Sequence, residues 1–115
     1  MKIEARELED YAEPINPDLL QEGEIYLSVQ YADEAMLIPI VETWVFAGKY
    51  LKENDSAGQL YFQDVESYLQ GIRYESATEQ NSVFQVATPP NINHIFTFKK
   101  AVEELLKCQL RRSHT

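Results

Sequence analysis

The apolar positions along the 115-residue chain change period several times, and each change marks an element. From Glu24 to Tyr31 the period is two. Ile25, Leu27, Val29 and Tyr31 fall on one face, and Glu24, Tyr26, Ser28 and Gln30 on the other, which predicts a strand. The polar break Ala32-Asp33-Glu34-Ala35 has hairpin-loop length. Met36 to Phe46, rich in β-branched and aromatic residues, then predicts a longer strand paired antiparallel with the first. Pro39 cannot donate to a ladder, so this strand is an edge there or carries a bulge. Gln59 to Phe62 and Val83 to Ala87 predict two more short strands, the second stopped by Pro89-Pro90.

Helical spacing appears in three places. Asn16, Pro17, Asp18 and Gly23 supply a cap, a first-turn proline, an acid at the positive helix end and a terminating glycine, enough for a single turn. Asp64 is placed to cap a helix in which Val65, Tyr68, Leu69 and Ile72 form one face. The longest pattern runs from His94 to Leu110. Ile95, Phe98, Val102, Leu105, Leu106 and Gln109 lie on one side with Ala101 and Cys108 flanking, and Lys107, Arg111 and Arg112 complement the helix dipole at its end. Gly48 to Gly58 and Glu75 to Ser82 read as polar loops. Residues 2–8 alternate as a strand does, although their Glu-rich continuation to Asp10 would also suit a helix. The elements add up to an α+β single domain over residues 1–115: a mainly antiparallel sheet of about four strands, with a C-terminal amphipathic helix and one shorter helix packed on one face.

Composition narrows the class. With 44% hydrophobic residues the chain has enough apolar side chains to offset its conformational entropy. Ten Lys and Arg against 19 Asp and Glu give −9 at neutral pH, the wrong sign for a nucleic-acid binder. Residues 1–34 carry a net −8, residues 35–98 −4 and residues 99–115 +3. This asymmetry suits a solvated acidic surface, docking of the acidic amino-terminal region near the basic last helix, or an acidic patch for a basic partner. Cys108 is the single cysteine, so neither an intrachain disulfide nor a cysteine zinc cluster is expected. The first residues lack the apolar core of a signal peptide, and Met36 to Phe46 falls well short of the ~20 residues that cross a bilayer. A cytoplasmic protein without membrane contact is expected.

The search for chemistry yields few groups. Glycines at 23, 48, 58 and 71 build no phosphate-cradling loop, and His94 and His114 are too far apart for a helical metal pair. No cofactor or metal is expected. Glu42 shares a strand face with Ile40 and Trp44; in an apolar pocket it would be a candidate general acid or base, and on a solvated face an ion-pair partner. His94, at the expected start of the last helix, is the second catalytic candidate, as a proton shuttle or anion ligand. Nine of the 13 aromatic residues fall between positions 26 and 74. On a sheet covered on one side, some of them must emerge on the open face, and Tyr26, Trp44, Tyr61 and Tyr68 are the candidate interface residues. The leading expectation is a non-enzymatic protein that works by protein–protein contact and self-associates as a homodimer. The alternatives are a small-ligand binder or enzyme with a pocket around Glu42, Trp44 and Tyr61, and an acidic inhibitor of a basic partner engaging it through Glu7, Glu9 and Asp10.

Overall fold

A computed structural model describes residues 13–49 and 58–114; the expectations for residues 2–10 and for most of the loop after Lys49 lie outside them. Five strands form one antiparallel sheet: β1 (Ile25–Tyr31), β2 (Pro39–Lys49), β3 (Leu60–Asp64), β4 (Phe84–Ala87) and β5 (Ile95–Phe96), in the order β4-β3-β2-β1-β5. Two helices accompany them, α1 (Val65–Leu69) and α2 (Phe98–Ser113). Single 3-10 turns lie at Pro17–Leu19, Tyr74–Ser76 and Pro89–Asn91. The α+β class, the antiparallel sheet, the C-terminal helix and the one shorter helix are those predicted, with β5 as an additional strand.

The β1–β2 hairpin is the spine of the sheet, paired from Ile25↔Val45 to Tyr31↔Pro39. Its turn is closed by Asp33, whose carboxylate accepts the N–H groups of Leu37 at 3.1 Å and Ile38 at 2.9 Å. Met36 in this turn has φ +60°, a conformation few non-glycine residues adopt. The end of α2 clamps the turn from outside. Arg111 Nε donates to Met36 O at 2.9 Å and Arg112 Nη1 to Leu37 O at 2.7 Å. Arg111 Nη2 also reaches the Tyr31 hydroxyl at 2.7 Å and Glu104 at 3.3 Å, while Tyr31 donates its proton to the same carboxylate. Burial, together with the Glu104 charge, pushes the Tyr31 phenol above its ordinary range. The two arginines expected to serve the helix dipole are thus ligands of the hairpin as well.

Both faces of the sheet are covered, by different means. Tyr26, Trp44, Phe46, Leu60, Phe62 and Ile95 form the core of one face, and irregular chain around Ile15, Leu20 and Ile92 lies over them. On the other face Val29 and Phe96 pack against Ala101 of α2, with Leu27, Tyr31 and Leu105 at the margin. The last helix differs from its predicted form in start and in phase. Ile95 and Phe96 pair with β1 as a strand, and Thr97, accepting the Lys100 N–H at 3.3 Å, caps the helix after them. From that start, Ala101, Glu104, Lys107 and Cys108 turn inward, while Phe98 and Val102 remain 59% and 43% exposed. The polar Glu104 tolerates burial because Tyr31 and Arg111 satisfy it. α1 also departs from its pattern: it ends after five residues, Gly71 follows at φ +87°, and Leu69 is left in solvent.

One substitution separates the observed helix phase from the predicted one, and a second, at a buried position of β3, calibrates it. Leu60→Ala, at a fully buried position, is expected to lower stability by about 2–5 kcal/mol. Val102→Ala is expected to stay within ~0.5 kcal/mol, as an exposed site does. Urea midpoints check both, and a Val102 loss as large as that of Leu60 would return the helix to its predicted face.

Candidate interaction surface

A sheet edge presents unpaired N–H and C=O groups, so it attracts another strand unless something guards it. Among the edge segments of the described sheet, the outer side of β5 and the first half of β2 are guarded. β5 is two residues long, and its Ile95 O already accepts the Ile15 N–H at 2.9 Å. The half of β2 from Pro39 to Thr43 pairs only with β1, since β3 joins from Trp44 onward. This half carries Pro39, which cannot donate, and the exposed charge of Glu42. Pro39 therefore lies on an edge, as its chemistry requires. The irregularity in β2 lies elsewhere, between Phe46 and Gly48.

β4 is another edge and has neither device. It pairs with β3 from Leu60↔Ala87 to Gln63↔Phe84 and has no strand on its outer side among the described residues. Asp64 sets its position. One carboxylate accepts the Ser67 N–H at 3.0 Å, capping α1, and the Val83 N–H at 2.8 Å, while Asp64 N–H donates to Val83 O at 3.0 Å. Burial opposes ionisation of this carboxylate, but hydrogen bonds from the Ser67 hydroxyl, Val83 and Ser67 N–H outweigh it and hold its pKa below the ordinary value. At the other end Gly58, at φ +88°, lets Pro89 approach so closely that a Cβ there would sit 3.1 Å from the proline ring. On one side of the strand the Tyr61, Tyr74 and Phe84 rings stack edge to face at 5.4 and 5.6 Å.

Because Val83 exchanges its bonds with Asp64, alternation along an antiparallel strand turns the N–H and C=O of Gln85 and Ala87 toward β3 and those of Phe84 and Val86 outward. Val83 and Val86 are 55% and 48% exposed. From Gln80 to Phe98 the chain has no Asp, Glu, Lys or Arg, although a quarter of its residues are charged. That gap, visible in the sequence, is the signal that motif and aromatic arguments passed over.

The six sequence candidates are placed as follows. Tyr26, Trp44 and Tyr61 are buried within the chain rather than presented on an open face: loop segments cover Tyr26 and Trp44, and Tyr61, on the other face, packs against Tyr74. Tyr26 Oη accepts the Gln21 N–H at 2.9 Å. Tyr68 is half-buried, with the Arg73 guanidinium 3.8 Å above its ring and its hydroxyl against Gly23. Glu42 is exposed, and Trp44 and Tyr61 do not share a side of the sheet with each other: Trp44 lies on the same face as Phe62, and Tyr61, the neighbour of Phe62 in β3, points to the opposite face. Glu7, Glu9 and Asp10 lie outside the described residues.

His94 does not open a helix. It precedes β5, its carbonyl accepts the Val29 N–H at 3.0 Å, and its ring lines a cavity of about 280 Å³ floored by Phe62, Ile92 and Ile95 beside β4. Among the described residues no group of three or more His, Cys, Asp or Glu could hold a metal ion, and no helix is long and apolar enough to cross a membrane. No family model, curated protein or solved structure matches the chain.

Burial pushes the His94 imidazole below its ordinary value. The unfolded chain therefore binds the proton first as pH falls below about 6.5, and the stability that neutral His94 contributes above that pH is lost on the acid side. Between about pH 7 and about pH 5.5, the wild type is expected to lose more stability in urea than His94→Asn. Equal losses would show that the ring is as solvated in the folded chain as in the unfolded one.

Proposed function

We propose that the chain acts through contact with protein chains rather than by catalysis, and that it self-associates. The observation supporting this reading is the β4 edge: outward backbone groups at Phe84 and Val86, exposed Val83 and Val86 beside them, and no charge or proline within the strand to discourage pairing. Main-chain hydrogen bonds along such an edge give affinity, and the alternating side chains give selectivity.

The charge balance sets the salt response of this contact. Two copies at −9 each repel at long range, so screening favours their association when the contact itself is uncharged. Sedimentation velocity is expected to show a species of twice 13.3 kDa whose fraction grows with concentration and grows again at about 0.5 M salt, where the Debye length is roughly 4 Å. A single 13.3 kDa species up to millimolar concentration at both salts would overturn self-association. Capture of a basic protein that is released by the same salt would move the reading to the acidic-inhibitor alternative.

A further inference from the structure

Resting on that reading, we propose that the occupant of the β4 edge is β4 of a second copy, added antiparallel about a two-fold axis at Gln85 to make one continuous sheet of two chains.

Three observations lead to this occupant and this register. The first is electrostatic. A partner for this edge must bring its own backbone close to a chain of net −9, and the stretch from Gln80 to Phe98 is where two such chains meet without placing carboxylates in the contact strand. Glu75 and Glu79 lie on the loop before β4, outside the paired residues.

The second is symmetry. An antiparallel pair of identical strands is self-complementary, so one patch serves both partners and the assembly closes at two.

The third is the hydrogen-bond phase, which selects among registers. The outward-facing residues are Phe84 and Val86. With Gln85 on the axis, Phe84 of each copy exchanges N–H and C=O bonds with Val86 of the other, so every bonding residue lies within β4. Centring the axis on Phe84 would call on Ser82, which precedes β4 and belongs to the loop that Thr78 and Asn81 tie together. Centring it on Val86 would call on Thr88, which precedes the turn at Pro89–Asn91. In the Gln85 register the two Gln85 residues face each other as a pair without main-chain bonds, and their amide side chains can hydrogen-bond across the axis. Phe84 and Val86 meet on the opposite face and continue the row of rings from Tyr61 and Tyr74.

The register specifies its own test. Opposed residues of this kind have Cα atoms about 4.5 Å apart, within the roughly 4.4–6.8 Å that a disulfide spans. Gln85→Cys, oxidised with diamide at a concentration where the wild type sediments as a dimer, is expected to give a disulfide-linked dimer nearly quantitatively. Gln80→Cys, in the exposed loop before β4, is expected to link at least about tenfold more slowly. The wild type, whose Cys108 is buried, is expected not to link. In parallel, Val86→Lys places two like charges in the seam at an exposed site and is expected to weaken the dimer about tenfold or more, with an unchanged urea midpoint under monomeric conditions.

A dimer by mass in which Gln85→Cys links no faster than Gln80→Cys, or in which Val86→Lys leaves the affinity unchanged, would overturn β4 pairing while leaving self-association standing. A chain that is monomeric in every assay would overturn both.

Discussion

A sheet buries two faces, and among the described residues one long helix is at hand to cover them. That constraint orders most of the structure. α2 is committed to the face that carries Leu27, Val29, Tyr31 and Phe96, and it is fixed there by Arg111 and Arg112, which hold the carbonyls of the hairpin turn. The opposite face carries the larger aromatic side chains, and irregular chain around Ile15, Leu20 and Ile92 shields them. Covering a face with loops requires that their backbone groups find partners. Ile15 N–H to Ile95 O and Gln21 N–H to Tyr26 Oη are two such solutions. The aromatic residues that bring the loops down are therefore buried beneath them.

This explains which parts of the molecule were legible in its sequence. The hairpin was, because alternation at Ile25–Tyr31 and the β-rich run that follows leave one pairing, and because Asp33 and Pro39 mark the turn and the edge by their chemistry. The cap at Asp64 was legible for the same reason, although its second bond, to Val83 across the sheet, joins residues far apart in the chain and leaves no local trace. The phase of α2 was not. Periodicity favoured the side with Phe98 and Val102, but the capping threonine starts the helix later, and a long-range triad of Tyr31, Glu104 and Arg111 makes a polar side the buried one. Hydrophobic spacing ranks faces by transfer energy alone and does not register a carboxylate satisfied by a tyrosine 73 positions away.

Glu42 and the aromatic residues exchange roles for a related reason. As candidates they were judged by residue type: a carboxylate amid apolar neighbours suggests catalysis, and clustered aromatic rings suggest an interface. Position in the sheet puts Glu42 on an exposed stretch of β2 and Tyr26 and Trp44 in the core. Glu42 stands on the half of β2 that β3 does not reach, where a charge discourages a foreign strand, and Pro39 three residues earlier does the same by withholding a donor.

The guarding of edges is uneven, and that unevenness carries the functional argument. Leaving one edge unprotected exposes a chain to uncontrolled pairing unless the pairing ends in a closed species. At β4 the strand is four residues long, bounded before by the loop that Asn81 and Thr78 tie together and after by Pro89 and Pro90. So short a strand offers few main-chain bonds, its ends forbid extension, and a partner strand carrying carboxylates would add repulsion within the seam itself. Its outward groups are best satisfied by a strand of the same length and phase that is equally free of charge. The sequence supplies one such strand in every copy of the chain, and a two-fold pairing uses up both edges at once.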